Sequence, residues 1–263
     1  MAKKIHPRNI EISISVVSHL HSHLIFGLFK DLHKHCKNQS IEVILTLNTE
    51  EELPFSPNDF FFPMRIIKNS IPKGFAQNHN QAFKQIQGEF FCILNPDIRL
   101  QSDPFPGLLE CLKQNKSVGI ASPKVTNEKN EIEDSARYFP TPLKILCKLF
   151  GKCRGSDYLI QNGRIYPDWV AGMFMLIPSE IFRRAGHFNE GFFLYYEDVD
   201  LCARLRLLGY EIALCPDSVV IHHAQRTSHH NFQFLWWHLK SMAKFFTSIA
   251  FFKIMIQKIK KMF

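Results

Sequence analysis

Residues 75–97 read FAQNHNQAFKQIQGEFFCILNPD, and the change of rhythm within them decides the fold. Ile71-Pro72-Lys73-Gly74 marks a turn, and Phe75 to Gln87 after it reads as a helix. Glu89 to Asn95 (EFFCILN) is then an apolar run of strand length, stopped by Pro96. Outward from this unit the same alternation repeats. Towards the N-terminus lie a strand at Met64 to Asn69, an acidic loop at Glu50 to Pro63, a strand at Ile41 to Asn48, a helix at Leu24 to Cys36 and a β-branched strand at Ile10 to Ser18. Towards the C-terminus lie a helix at Asp103 to Gln114, opened by Asp103-Pro104, and a strand at Val118 to Ala121. Strands alternating with helices predict an α/β fold: a mostly parallel central sheet with helices on both faces.

The next segment is less regular. Ser122 to Asp168 is expected to hold a β-excursion and a mobile loop around residues 151–163. Regularity returns with a strand at Trp169 to Ile177, a short helix at Pro178 to Arg184 and a longer one at Glu197 to Leu208 closed by Gly209. Strands follow at Glu211 to Leu214 and Val219 to His222. From about Ser228 the chain turns aromatic, basic and helical. The expected organisation is one domain over residues 1–227 and an amphipathic helical extension over residues 228–263.

The 263 residues, 46% hydrophobic and 21% charged, allow a sizeable core without staples. A net charge of +8 suits anionic partners. No nucleic-acid recognition motif is present, and none is expected as a partner. Seven scattered Cys without a CxxC pair read as reduced, buried thiols of a cytoplasmic protein. Residues 1–9 have no apolar run behind them, which argues against a signal peptide. No segment reaches the roughly 18 uncharged apolar residues of a spanning helix.

In open parallel sheets ligands bind beyond the carboxyl ends of strands. Those ends here are Ser18-His19, Asn48-Thr49, Asn69-Ser70 and Asn95-Pro96-Asp97, all polar. There is no GxGxxG after the first strand, no GxxxxGK[ST] and no GxSxG, so dinucleotide, P-loop and hydrolase-elbow sites lack their fingerprints. Asp97 just past a buried strand is either a cation ligand or part of a capped turn. Glu197, Asp198 and Asp200 open a helix, where the N-terminal dipole favours negative charge. They are either ordinary first-turn acids or a proton-accepting site. His222-His223 ends a β-branched strand and reads as a solvated pair or as the partner of a strand-end Asp in a metal site. The trio His19, His21 and His23 reads as a polar loop in preference to a zinc site, since no Cys or acidic residue lies within it.

Three long stretches resemble family 2 glycosyltransferases of the GT-A fold, and within them the bacterial rhamnosyltransferase-like branch. They are GFAQNHNQAFKQIQGEFFCILNPDIRL (74–100), DWVAGMFMLIPSEIFRRAGHFNEGFFLYYEDVDLCARLRLLGY (168–210) and VVIHHAQRTSHH (219–230). The likeness runs from about Ile10 to about Phe246. It implies an inverting, metal-dependent sugar transfer in cell-surface polysaccharide or lipopolysaccharide synthesis. Asp198 would be the catalytic base, with Glu197 in reserve. Asp97 and His222 would hold Mg²⁺ or Mn²⁺. Ser18, Asn48, Gly74, His79, Asn80 and Asn95 would line the donor, a dTDP- or UDP-sugar with dTDP-rhamnose suggested. Trp169, Gly172 and Asp200 would face a saccharide acceptor, and Gly172 would permit close backbone approach.

This sequence departs from the family pattern at Asn48, His79, Asn95 and Asn189, where Asp, Arg, Asp and Asp are common. A non-catalytic nucleotide- or sugar-binding module of the same fold is the alternative; a nucleotidyltransferase would want a Gly-rich basic loop where Ser18-His19-Leu20-His21-Ser22-His23 stands. Phe245 to Phe263 joins apolar residues to Lys253, Lys258, Lys260 and Lys261. It suits either a helix in a membrane interface or one packed on the domain. The former would bring a lipid-linked acceptor and a peripheral place at the inner face of the cytoplasmic membrane.

Overall fold

The computed structural model describes residues 10–151, 155–160, 163–223 and 232–260. The first half runs β1 (Ile12–Ser18), α1 (Ser22–His35), β2 (Ile41–Leu47), β3 (Met64–Lys68), α2 (Phe75–Phe83), β4 (Phe90–Leu94), β5 (Ile98–Arg99) and α3 (Phe105–Gln114). The second runs β6 (Val118–Thr126), β7 (Ala136–Arg137), α4 (Pro142–Leu149), β8 (Trp169–Val170), β9 (Phe174–Pro178), α5 (Ser179–Arg184), α6 (Glu197–Leu207), β10 (Glu211–His222), α7 (Phe232–Phe246) and α8 (Ile249–Lys260).

Eight strands form one sheet in the order β3-β2-β1-β4-β9-β6-β10-β5. The pairs β2–β3, β1–β2, β1–β4 and β6–β10 are parallel, while β9 runs antiparallel between β4 and β6. The apolar run of β4 explains why the sheet is covered on both faces. Phe90, Cys92 and Leu94 enter a core shared with α1 and α3, whereas Phe91 and Ile93 enter one shared with α2, α5, α6 and α8. Successive strand residues point to opposite faces, so an unbroken apolar strand needs apolar cover twice.

Several sequence expectations change in detail. The strand expected from Trp169 to Ile177 is two: β8 pairs with β7, β9 joins the main sheet, and Ala171 to Met173 intervene. The two late strands are one long β10 with a register break between Cys215 and Val219, around Pro216, which lacks an N–H for the ladder. The irregular segment contains the β7 excursion and also the helix α4, which opens on Pro142 and was not singled out in the sequence. Part of the expected mobile loop (152–154 and 161–162) and the expected boundary at 227–228 lie outside the described residues.

The C-terminal extension is not a detached tail. The inner face of α8 buries Ala250, Phe251 and Ile254 in the same core as α6, and Lys258 pairs with Asp168. Its outer row, Ile249, Phe252, Ile256 and Ile259, is bare. Cys36, Cys92, Cys111, Cys202 and Cys215 are free and buried. Cys147 departs from the all-reduced expectation: it is disulfide-bonded. No helix among the described residues is long and apolar enough to cross a membrane.

Candidate active site

β5 is only two residues long, yet it sets the site. It pairs antiparallel with the end of β10, with His222 opposite Ile98, and the His223 N–H donates to the Asp97 carbonyl at 2.8 Å. Asp97 Oδ2 therefore lies 3.2 Å from His222 Nε2. The other imidazole nitrogen, Nδ1, lies 2.7 Å from Glu133 Oε2, which fixes the ring's orientation. Burial opposes charge on His222, but the hydrogen bonds and charges of Asp97 and Glu133 outweigh it and raise its pKa to about 9.

Asp97 Oδ1 is buried without a hydrogen-bond partner among the described residues. The unused oxygen of Asp97 fits a divalent cation that completes its shell with substrate phosphates; such a cation would displace the proton that Asp97 and Glu133 hold on His222 and take the freed ring nitrogen. No group of three or more candidate ligands exists among the described residues.

The second centre is the start of α6. Tyr195 and Tyr196 both have left-handed backbones, with φ of 69° and 67°, and turn the chain into the helix. Such strain in non-glycine residues persists only where packing holds it. His238 of α7 provides that packing, against both tyrosine rings at 5.2 and 5.5 Å. The turn presents Asp198, whose Oδ2 accepts the Gly172 N–H at 2.9 Å and whose Oδ1 accepts its neighbour Val199's N–H at 2.8 Å.

Burial raises the pKa of Asp198, while these amides and Arg137 pull it back. Glu197 is buried, has Oε2 unpartnered, and is raised well above the usual range by burial and by the Asp198 charge. Burial lifts both carboxyls, and at Asp198 the amide donors and Arg137 offset part of the lift. The two centres meet on one short segment: Gly172 donates its N–H to Asp198, and the carbonyl of the next residue, Met173, accepts the Asn95 N–H at 2.9 Å.

The expected donor residues divide. Ser18 ends β1 with its hydroxyl accepting the His21 N–H, and Asn95 sits at the head of the Asp97 turn. Asn48 holds the loop before α2: its amide donates to the Lys73 carbonyl and its oxygen accepts from the Lys73 N–H and from Asn69. Asn80 likewise clamps the chain at Phe188 and Glu190. Gly74 is needed for packing, since a Cβ there would stand 2.4 Å from the Phe193 carbonyl oxygen.

His79 is 1% exposed, bonded to Ser15 Oγ at 2.8 Å and packed between Phe75 and Phe188. Burial lowers its pKa to about 3, so it is a neutral core residue and has no surface to offer a diphosphate. The expectation of a donor contact at His79 is corrected on that ground.

On the acceptor side, a cavity of about 490 Å³ is lined by Asp198, Glu197, Trp169, Arg137, Tyr196 and His238, among others. Trp169 donates its Nε1–H to the Tyr138 carbonyl at 3.0 Å and stacks beside Arg137 at 5.4 Å. Gly172 donates its N–H to Asp198, and a Cβ there would meet only ordinary contacts with Phe75 and Asp198. Asp200 is corrected: it is 2% exposed and is used in an ion pair with Arg204 one turn along α6, at 2.8 Å. Helical spacing turns residue 200 away from 198. Glu133, Arg137 and His238 were not singled out in the sequence. They reach the site from a loop, a two-residue strand and the extension, and no local motif marks them.

No protein-family model matches the chain. Over 246 residues it is 26% identical to the rhamnosyltransferase WbbL of Escherichia coli (strain K12), covering 89% of this chain and 92% of that protein. Over 145 residues it is 26% identical to N-acetylglucosaminyl-diphospho-decaprenol L-rhamnosyltransferase of Mycobacterium tuberculosis (strain ATCC 25618 / H37Rv), covering 51% of this chain and 47% of that one. The chain thus spans nearly all of the first relative and about half of the second. The mannosyltransferase PcManGT from Pyrobaculum calidifontis, solved with GDP-Man and Mn²⁺, superposes with a TM-score of 0.63 at 15% identity, over 92% of this chain and 66% of that one. The structural likeness carries the fold and the sequence likeness carries the class: this chain is a glycosyltransferase of the GT-A fold, similar to the family 2 rhamnosyltransferases.

Proposed function

We propose that the chain is an inverting, divalent-metal-dependent transferase of cell-surface polysaccharide or lipopolysaccharide biosynthesis. It would move a sugar from a nucleotide-sugar donor, dTDP-rhamnose before a UDP-sugar, to a hydroxyl of a lipid-carried saccharide. It would work in the cytoplasm at the inner face of the membrane. The rhamnosyltransferase likeness supports the donor, and the name of the mycobacterial relative supports the acceptor.

The single observation that supports the reading is the Gly172-Met173 segment. Gly172 holds the Asp198 carboxylate on the cavity side while the adjacent Met173 holds the Asp97 turn through Asn95. Base and cation pair would then be held by neighbouring residues, as a displacement between two substrates requires. Asp198 takes the proton of the acceptor hydroxyl as that oxygen attacks the anomeric carbon from the face opposite the nucleotide. Asp97 and His222 would hold the Mg²⁺ or Mn²⁺, and Glu133 keeps the His222 ring aligned. The cation would supply Lewis-acid neutralisation of the diphosphate leaving group. Trp169 would give the acceptor sugar a flat apolar wall.

The test is the melting temperature of the purified chain with dTDP-, UDP- and GDP-sugars in Mn²⁺, Mg²⁺ or EDTA, followed by a transfer assay. A ligand of the folded state raises the melting temperature. The expected result is a metal-dependent rise with one nucleotide class in wild type and in Asp198→Asn, and none in Asp97→Ala. Transfer by Asp198→Asn should fall by about 10²–10⁴-fold, and the product's anomeric configuration should be inverted by NMR. Undiminished transfer in Asp198→Asn, or a retained configuration, would refute the mechanism.

A further inference from the structure

The acceptor cavity is walled on one side by α4, through Lys144 and Ile145, and on another by α7, through His238 and Met242. Each of these helices leaves a different face bare. On α4, Leu143 is 80% exposed and Leu146 is 50% exposed. On α7, Leu235 is 53%, Trp236 59% and Leu239 44% exposed, with Phe232 one turn earlier also bare. Residues 232, 235, 236 and 239 share one side of a helix. Monomeric soluble surfaces rarely gather apolar side chains in this way without a use for them.

The helices themselves carry charge of one sign, although Lys144 and Lys258 are paired with Asp157 and Asp168 of neighbouring segments. Residues 142–149 and 232–260 contain seven Lys and no Asp or Glu. A second copy of the chain would bring like charges together there, so self-association is disfavoured. An anionic bilayer offers the complement: negative headgroups for the lysines and a hydrocarbon boundary for Leu, Phe and Trp.

We infer that α4 and α7 form a docking surface for an anionic lipid bilayer, which sets the mouth of the acceptor cavity against the membrane. The inference rests on the reading of a lipid-carried acceptor given above, and it adds the surface. A saccharide attached to a membrane lipid would then enter between the two helices and reach Asp198 without leaving the headgroup layer. The bare outer row of α8 continues the same chemistry.

The test uses the full chain with phosphatidylcholine vesicles, with and without phosphatidylglycerol, read by flotation and by quenching of Trp236 with brominated acyl chains. Wild type should float only with phosphatidylglycerol, and the quenching should disappear in Trp236→Phe. The pairs Leu235→Glu with Leu239→Glu, and Leu143→Glu with Leu146→Glu, should each reduce flotation by about tenfold or more, since each removes two apolar side chains from the contact. Both pairs should keep the wild-type melting temperature and the wild-type transfer rate to a water-soluble acceptor saccharide. Flotation equal to wild type in folded variants, or no flotation of wild type, would overturn the docking surface. So would a wild-type dimer in light scattering that both pairs dissociate, because the occupant would then be a second copy. Flotation reads the surface whatever the transfer assay returns, so the two readings fail separately.

Discussion

Gly74 and His79 lie five residues apart, and both were expected at the donor for reasons of position. The physical environment of each gives a sharper account. Phe75 N–H donates to the Phe193 carbonyl at 2.8 Å, which draws the 193 loop over the start of α2 until no Cβ fits at residue 74. Gly74→Ala should cost about 1–3 kcal/mol through that overlap with backbone, seen as a lower denaturant midpoint with an unchanged slope; an unchanged midpoint would mean that the loop yields freely.

His79 is neutral because it is buried, with a folded pKa of about 3 against 6.5 for the free side chain. The unfolded chain binds the proton first as pH falls. The stability this residue contributes is therefore complete above pH 6.5 and is lost progressively from there towards pH 3. Urea unfolding between pH 7 and 4 should show a shallower fall for His79→Gln than for wild type, by up to about 1.4 kcal/mol per pH unit. Parallel curves would contradict the buried, neutral ring. Sequence spacing located this helix start, but the packing of Phe75 and Phe188 on the ring comes from residues over a hundred positions apart.

The element whose role changed most is α8. In sequence it suited a membrane helix and a packed helix equally, because an apolar side flanked by lysines serves either surface. The structure divides them into an inner row against α6 and an outer row in solvent. Ile254→Ala, on the inner row at 3% exposure, should cost about 2–5 kcal/mol. Ile256→Ala, at 55% exposure, should change stability by no more than about 0.5 kcal/mol. Thermal or urea unfolding of the two variants separates the rows, and equal effects would sink the packing described. The break between β8 and β9 belongs to the same scale. An uninterrupted apolar run from Trp169 reads as one strand, yet the peptide at Gly172 leaves the ladder because Asp198 accepts its N–H.

At the scale of the whole molecule, the site joins parts that are far apart in the chain. Asp97 and His222 are 125 residues apart and meet because β5 and β10 pair at the edge of the sheet. Glu133, from the segment after β6, completes that pair. The cavity beside Asp198 takes walls from the β7 excursion, from α4 and from α7. The two apolar cores on either side of the sheet hold these pieces in place, and the helices beside the cavity contribute lysines without acidic residues of their own.

Sequence alone determined the α/β alternation, the both-sided burial of β4 and the chemical candidates at strand and helix ends, because periodicity and end residues are local properties. It also determined the family likeness, carried by three ordered stretches. Tertiary structure decided which candidates act together. It joined Asp97 to His222 and Asp198 to Gly172, withdrew His79 and Asp200 into packed and paired positions, and added Glu133, Arg137 and His238. Side-chain burial and strand pairing between distant segments depend on the whole chain's packing, and no window of local sequence contains that information.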